Sequence, residues 1–266
     1  MATWASLSRR RRTILLRRIA YGVSIAGIVV VGRGINWGDL TNSMFRPSLM
    51  AEQFPEIVTI AAKNTLIFTF FGFTGGLVIG LIVALMRISQ ATPFRIVGSI
   101  FVDVIRGIPL LVWILIIGFG IPIATGARIP GSYGAGSVAL AIVAGGYMAE
   151  TIRAGIEAVP RGQMEAARSV GMTYSRAMWT IILPQAFRII IPPLTNELVL
   201  LIKDTSLVSV LGVTIGTMEL TKFGRSASAA AFNATPLITA ALVYLIITLP
   251  MIRAVAVLEK RAAQSR

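Results

Sequence analysis

Long apolar segments recur along this chain, each running for about 20 residues or more between short polar interludes, and so many of them exceed what one soluble core can bury. Ile57 to Met86, Ile96 to Ile121, Ser137 to Ile156, Ile189 to Leu211 and Pro236 to Leu258 are each long enough to cross a hydrocarbon core of about 30 Å. An earlier run, Ile19 to Gly32, can be extended by Leu15 and Leu16 while Arg17 and Arg18 snorkel, giving about six crossings. In hydrocarbon every backbone donor and acceptor must be satisfied within the protein, so the expected fold is an all-α membrane protein. Composition agrees, with 55% hydrophobic residues against 14% charged and a mean hydropathy of +0.79.

The first apolar run follows Arg9 to Arg12 and has the outline of a signal peptide, but no small-residue cleavage site is evident after it. A retained first span is therefore expected. Residues 1–56 read as a basic tail, that span and an extracytoplasmic segment carrying Trp37, Asp39 and Pro47. Residues 57–258 form one membrane domain, and 259–266 a second tail. Pro122 to Gly136 is a turn region rich in Gly and Pro. Gly72, Gly75, Gly76 and Gly80 suit close helix contact in lipid.

A formal charge of +14 is of the kind that attracts nucleic acid. In so apolar a chain, basic clusters are better read as topology signals facing cytoplasm and anionic membrane lipid, so nucleic acid is not an expected partner. Seventeen Lys and Arg residues, from Arg9 to Arg266, fall on one side of the arrangement. Five, Arg33, Arg46, Arg128, Lys222 and Arg225, fall on the other, and Lys63, Arg106 and Lys203 lie within spans. Both termini are expected in the cytoplasm.

The chain contains no cysteine and no histidine, which removes disulfides, thiolate metal sites and the commonest general base. No metal site is expected, and no catalytic residue is assigned. No Gly-rich phosphate loop of the form GxxxxGK[ST] occurs. If ATP powers this protein, another subunit binds it.

Ionisable residues inside a span cost roughly 2.5–3.5 kcal/mol each on insertion scales and need a reason. Glu197, Lys203 and Asp204 fall in the fifth of the six spans. Positions seven apart return to nearly one helix face, so Glu197 aligns with Asp204 and Asn196 with Lys203. In the third span Gly107 and Pro109 can break the helix beside Arg106, either to border a cavity or to make a packing kink. An interhelical lattice joining Lys203 or Arg106 to Asp103 or Asp204 is the competing account of these charges.

The longest polar interlude, Val159 to Arg188, is patterned rather than loose. Pro160 opens a helix, Glu165-Ala166-Ala167 favours one, and Gly171 stands where its cap belongs. Thr173 can cap a second helix, which Pro184 and the pair Pro192-Pro193 should disturb.

Glu165-Ala166-Ala167, Gly171 and Ile182-Leu183-Pro184 together resemble the EAA loop of permease subunits of binding-protein-dependent ABC importers. The flanks Gly146 to Glu150, Arg153 to Ile156, Val159 to Gln163 and Lys203 to Leu207 are similar to the polar amino acid branch of that family. Arg106 to Leu111 and Asn64 to Leu66 extend the likeness upstream, with Ile108 standing where the family usually has Thr or Met.

That resemblance implies a type I ABC importer transmembrane fold, with loop 159–188 presenting a coupling helix to a separate ATPase. Glu165, Ala166, Ala167, Arg168 and Gly171 are the implied ATPase-coupling residues. ATP and Mg would be bound by that ATP-binding partner, and this chain would carry no cofactor and no enzymatic activity of its own. A second permease subunit, identical or homologous, and an extracytoplasmic amino-acid-binding protein are the other implied partners. An amino acid needs an anion for its ammonium and a donor for its carboxylate. Glu197 or Asp204 can supply the first, and Lys203, Arg106, Asn64 or Thr65 the second. Gly107 and Pro109 would line the pathway. The expected activity is ATP-driven import of polar amino acids across the cytoplasmic membrane: basic ones, drawn by Glu197 and Asp204, if Lys203 and Arg106 are engaged elsewhere, and equally a neutral one such as glutamine if they are not. The alternative is a secondary amino acid transporter driven by an ion gradient.

Overall fold

A computed structural model describes residues 9–127, 129–212 and 214–264; Arg128 and Arg266, counted above, lie outside the described residues. Among those described there is no strand. Helix α1 (Arg9–Gly34) carries the first apolar run, and its apolar stretch is not buried among the described residues. Near its end Trp37 Nε1 donates to Gly32 O at 2.7 Å.

The segment expected outside the membrane forms α2 (Trp37–Met44) and α3 (Pro47–Ala51). Asn36 caps α2 by accepting from Asp39 N, and Pro47 sits in the first turn of α3, where its missing N–H costs nothing. Ser43 O accepts from Ala234 N at 2.9 Å, and Thr235 Oγ1 from Arg46 N at 3.0 Å, which moors this segment to the far end of the chain.

A π-helical turn, Ile57–Ala62, leads into α4 (Lys63–Ile88), and α8 (Gly134–Glu157) packs along it to form the centre of the molecule. The glycines of α4 permit this approach. A Cβ on Gly76 would stand 2.8 Å from the Ala144 Cβ and 3.2 Å from the Gly145 nitrogen, and one on Gly80 would stand 2.8 Å from the Met148 Cβ. Phe68, Leu140, Met148, Ile114, Leu201 and Val208 complete the largest apolar core.

The third crossing is broken. Helix α5 (Thr92–Gly107) ends where Ile108 and Pro109 turn extended, and α6 (Leu110–Leu115) departs at 100°, continuing through a π turn into α7 (Ile121–Thr125). Gly107 and Pro109 therefore do break the helix. After α8 come the short α9 (Arg161–Ser169) and α10 (Tyr174–Ala177), then α11 (Leu183–Asp204) and a 3₁₀ turn, Thr205–Val210.

Two expectations need correction. The second helix of the polar interlude is disturbed ahead of Pro184, but no proline ends it, and Tyr174 to Val210 runs as one helical span. Pro184 is tolerated in the first turn of α11 after a π turn, Met178–Ile182, and the backbone loosened by Pro193 borders a cavity rather than lipid. The interlude thus has no free second half: it is the start of a span. The sequence reading also missed α12 (Leu220–Ala231), which folds against the final helix α13 (Thr235–Gln264). With the bent pair counted as one crossing, six candidate spans result.

Candidate functional site

The polar interlude builds one surface. Helix α9 closes on Gly171, whose φ of +84° suits a residue without Cβ. Met172 N bonds back to Ala167 O and Gly171 N to Arg168 O, both at 3.1 Å, the paired closure of a Schellman motif. Arg168 Nη1 adds a bond to Met172 O at 2.8 Å, and Thr173 caps α10 by accepting from Arg176 N. Ala167 is buried while Glu165, Ala166 and Arg168 are exposed, so one face of α9 holds the helix and the other is presented. Beneath lies a cluster of Ile152, Ile156, Val159, Ile182, Ala186 and Ile190 that joins α8 to α11. Val170 and Trp179 stand 78% and 71% exposed beside this face, an apolar contribution the sequence reading did not name.

Arg106, Glu197 and Asp204 are brought together. A cavity of about 460 Å³ is lined by Arg106, Tyr147, Glu150, Gly155, Pro193 and Glu197. A second, of about 410 Å³, is lined by Tyr147, Leu140, Glu197, Leu201 and Asp204. Tyr147 and Glu197 belong to both, and each space is of the size that takes a small solute. The Arg106 guanidinium lies over the Tyr147 ring, 5.3 Å from its centroid, a cation–π contact in the cavity that Glu197 also lines. Tyr147 and Glu150 were not singled out as cavity residues from sequence; their place on α8, opposite the Glu197 face, is a tertiary fact. Lys203 is exposed on another face of α11. The ion pairs among the described residues involve Arg87, Glu150, Arg153 and Glu157, so the lattice through Lys203 or Arg106 is not formed.

Asn64 and Thr65 are elsewhere. Both are buried, at 2% and 0% exposure. Asn64 Nδ2 donates to Gly216 O and Met218 O, each at 2.9 Å, and its Oδ1 accepts from Tyr133 Oη at 2.7 Å. Thr65 Oγ1 donates to Ala61 O at 3.0 Å and accepts from Leu220 N at 3.2 Å. Their polar atoms are engaged in fastening the 215–220 segment to α4, and neither lines the cavities of Arg106, Glu197 and Asp204.

That segment carries a buried carboxyl. Glu219, fully enclosed, accepts from the N–H groups of Thr221 and Lys222, both at 2.6 Å, and so caps α12. Burial pushes its carboxyl above the usual carboxylate range, opposed by those backbone donors and by Tyr244.

Spanning helices, one broken at membrane depth, a charged cavity beside the break and a presented helix in a basic loop define the membrane subunit of a solute transporter. Residues 76–264 match the family described as the binding-protein-dependent transport system inner membrane component, and the chain belongs to it. Over 202 residues it is 43% identical to a protein of Bacillus subtilis (strain 168) named "Probable glutamine ABC transporter permease protein GlnM", covering 76% of this chain and 91% of that one. The "Arginine transport system permease protein ArtQ" of the same organism is 37% identical over 175 residues, 65% of this chain and 78% of the relative. A solved structure titled "Crystal structure of an amino acid ABC transporter with histidines" superposes with a TM-score of 0.72 at 39% identity, covering 80% of this chain and 96% of that one. A methionine transporter structure at 22% identity, with a TM-score of 0.63 over 79% of this chain and 98% of that one, shares the fold.

The chain is thus a multi-pass permease of the inner membrane, part of an ABC system with ATPase and binding-protein partners. Membership excludes the ion-gradient alternative.

Proposed function

We propose that this permease imports polar amino acids, with basic ones favoured, and that its cavity beside the broken helix receives them. The observation that carries the reading is Glu197, which stands in the wall of two cavities, beside Arg106 in one and beside Asp204 in the other. The two carboxylates suit an α-ammonium together with a second positive group, while Arg106, held at the Tyr147 face, suits the carboxylate. The substrates for which its relatives are named, glutamine and arginine, are compatible with that chemistry.

The exposed face of α9, centred on Glu165, docks on the ATPase subunit, which binds ATP and Mg; this chain binds neither. Two permease subunits, identical or homologous, enclose the pathway, and both chain termini lie in the cytoplasm with that face. ATP binding draws the ATPases together, moves α9 and turns the cavity outward, and hydrolysis resets it. Substrate contact at Asn64, Thr65 and Lys203 has less support than at Glu197, since the first two are bonded within the fold and the third faces away from the cavities. The test is uptake of labelled arginine and glutamine by cells expressing this chain with its neighbouring subunits, with basic, neutral and acidic competitors. Basic competitors should be the strongest; indifference to every amino acid would overturn the substrate class.

A further inference from the structure

A chain of ion pairs runs from the cavity towards the coupling helix. Glu150, on α8, lines the cavity that holds Arg106 and Glu197. The same carboxylate binds Arg87 at the end of α4 and Arg153 one turn further along α8, and Arg153 in turn binds Glu157 at the last position of that helix. Arg153 Nε completes a forked contact with Glu150 at 3.2 Å. Three residues, Ala158, Val159 and Pro160, separate Glu157 from α9.

Arg87 reaches Glu150 past α5. A Cβ on Gly98 would stand 2.9 Å from the Arg87 Cγ, so the absence of a side chain there is what lets the arginine stem through. The three helices of the cytoplasmic end are therefore tied at one point. Arg87 and Glu150 retain 16% and 26% side-chain exposure, enough enclosure for the pair to resist screening more than a surface pair does.

We propose that Arg87 and Glu150 are positioning residues which hold the end of α8, and through it α9, in register with the cavity, so that the state of the cavity is passed to the ATPase. This rests on the transport reading above. No substrate contact is involved: Arg87 lines neither cavity, its stem passes Gly98 and its guanidinium binds the Glu150 carboxylate, so its effect passes through α8.

The test uses the whole importer, permease with its ATPase and binding protein, reconstituted in liposomes with labelled arginine and glutamine. Arg87→Gln is expected to raise the ATP hydrolysed per amino acid imported about tenfold, within the usual span of coupling between sites. Arg87→Lys should restore most of the coupling, and exchanging the charges, Arg87→Glu with Glu150→Arg, part of it. A merely structural role lowers uptake and hydrolysis together with their ratio unchanged, and that result overturns the proposal. Should Arg87→Gln fail to assemble, Glu157→Gln at the exposed end of the network is read in the same way, with an expected rise of about twofold. Glu165→Lys is the control, expected to lose substrate-stimulated hydrolysis. If it does so while Arg87→Gln leaves the ratio unchanged, only the tether fails; if Glu165→Lys keeps normal stimulation, the docking of α9 on the ATPase fails as well.

Discussion

The Tyr244 hydroxyl donates to the Glu219 carboxylate at 3.0 Å in the interior between α13 and the start of α12. Thr221 Oγ1 reaches the same hydroxyl at 3.3 Å, so a carboxyl that caps one helix is bonded to the middle of the next. Removing one member leaves others enclosed without a partner. Tyr244→Phe should lower stability by about 1 kcal/mol and Glu219→Ala by about 2 kcal/mol or more, read as thermal unfolding in detergent.

The same carboxyl gives a pH dependence of known sign. Its folded pKa lies above its unfolded value because burial disfavours the charge. The stability it contributes is therefore complete below the unfolded value, about 4.3, and is lost as pH rises through the folded one. Relative to Glu219→Gln, the unfolding temperature of the natural protein should fall across that interval. A constant difference between the two would show that Glu219 does not titrate there.

Close approach of α4 and α8 yields a packing prediction. At Gly76 a Cβ meets both a side chain and backbone of α8, so the helices must part. Gly76→Ala should cost about 1–3 kcal/mol and Gly76→Leu should abolish recovery of monodisperse protein. The same changes at Gly22, which has nothing within 4 Å, should have little effect, measured by size exclusion and thermal unfolding.

How far the sequence carried depended on whether a feature was local. The spans, the break at Gly107 and Pro109, the Gly171 cap and the Thr173 cap were readable because apolar length and turn chemistry act within a few residues. Pro192 and Pro193 misled, since their effect depends on whether the loosened backbone meets lipid or a cavity, a fact supplied by α8. The heptad step put Glu197 and Asp204 on one face, but their neighbours Tyr147 and Glu150 came from another helix. Asn64 and Thr65 illustrate the converse: polar residues within a span suggested a pathway, and the structure gives their hydrogen bonds to the segment ahead of α12. Helix α12 was passed over because Leu220 to Ala231, at 12 residues with Lys222 and Arg225 among them, is too short and too weakly apolar overall to stand out as a span.

Carboxylates in the cavity predict discrimination between substrates. Glu197→Gln keeps the size of the side chain and removes a charge that would pair with a basic amino acid. Loss of a charged hydrogen bond, roughly 1.5–3 kcal/mol, corresponds to about 10–100-fold weaker arginine uptake, with glutamine uptake changed much less. Asp204→Asn should act in the same direction. Equal losses for both labelled substrates would make the pair a structural requirement rather than a determinant of selectivity.

The presented face of α9 predicts a separation of insertion from function. Glu165 is exposed and makes no side-chain bond within the chain among the described residues, so Glu165→Lys costs the fold little while reversing the charge offered to the ATPase. Gly171→Arg acts differently: at φ +84° any side chain is strained by roughly 1–2 kcal/mol, which opens the Schellman closure and shifts the end of α9. Both variants should reach the membrane in normal amount, since the cluster beneath α9 is untouched. Both should lose substrate-stimulated ATP hydrolysis in the reconstituted importer, and Glu165→Lys should also release the ATPase during purification. Normal stimulation in Glu165→Lys would mean that the ATPase docks on another surface, and the exposed Val170 and Trp179 would be the next residues to change.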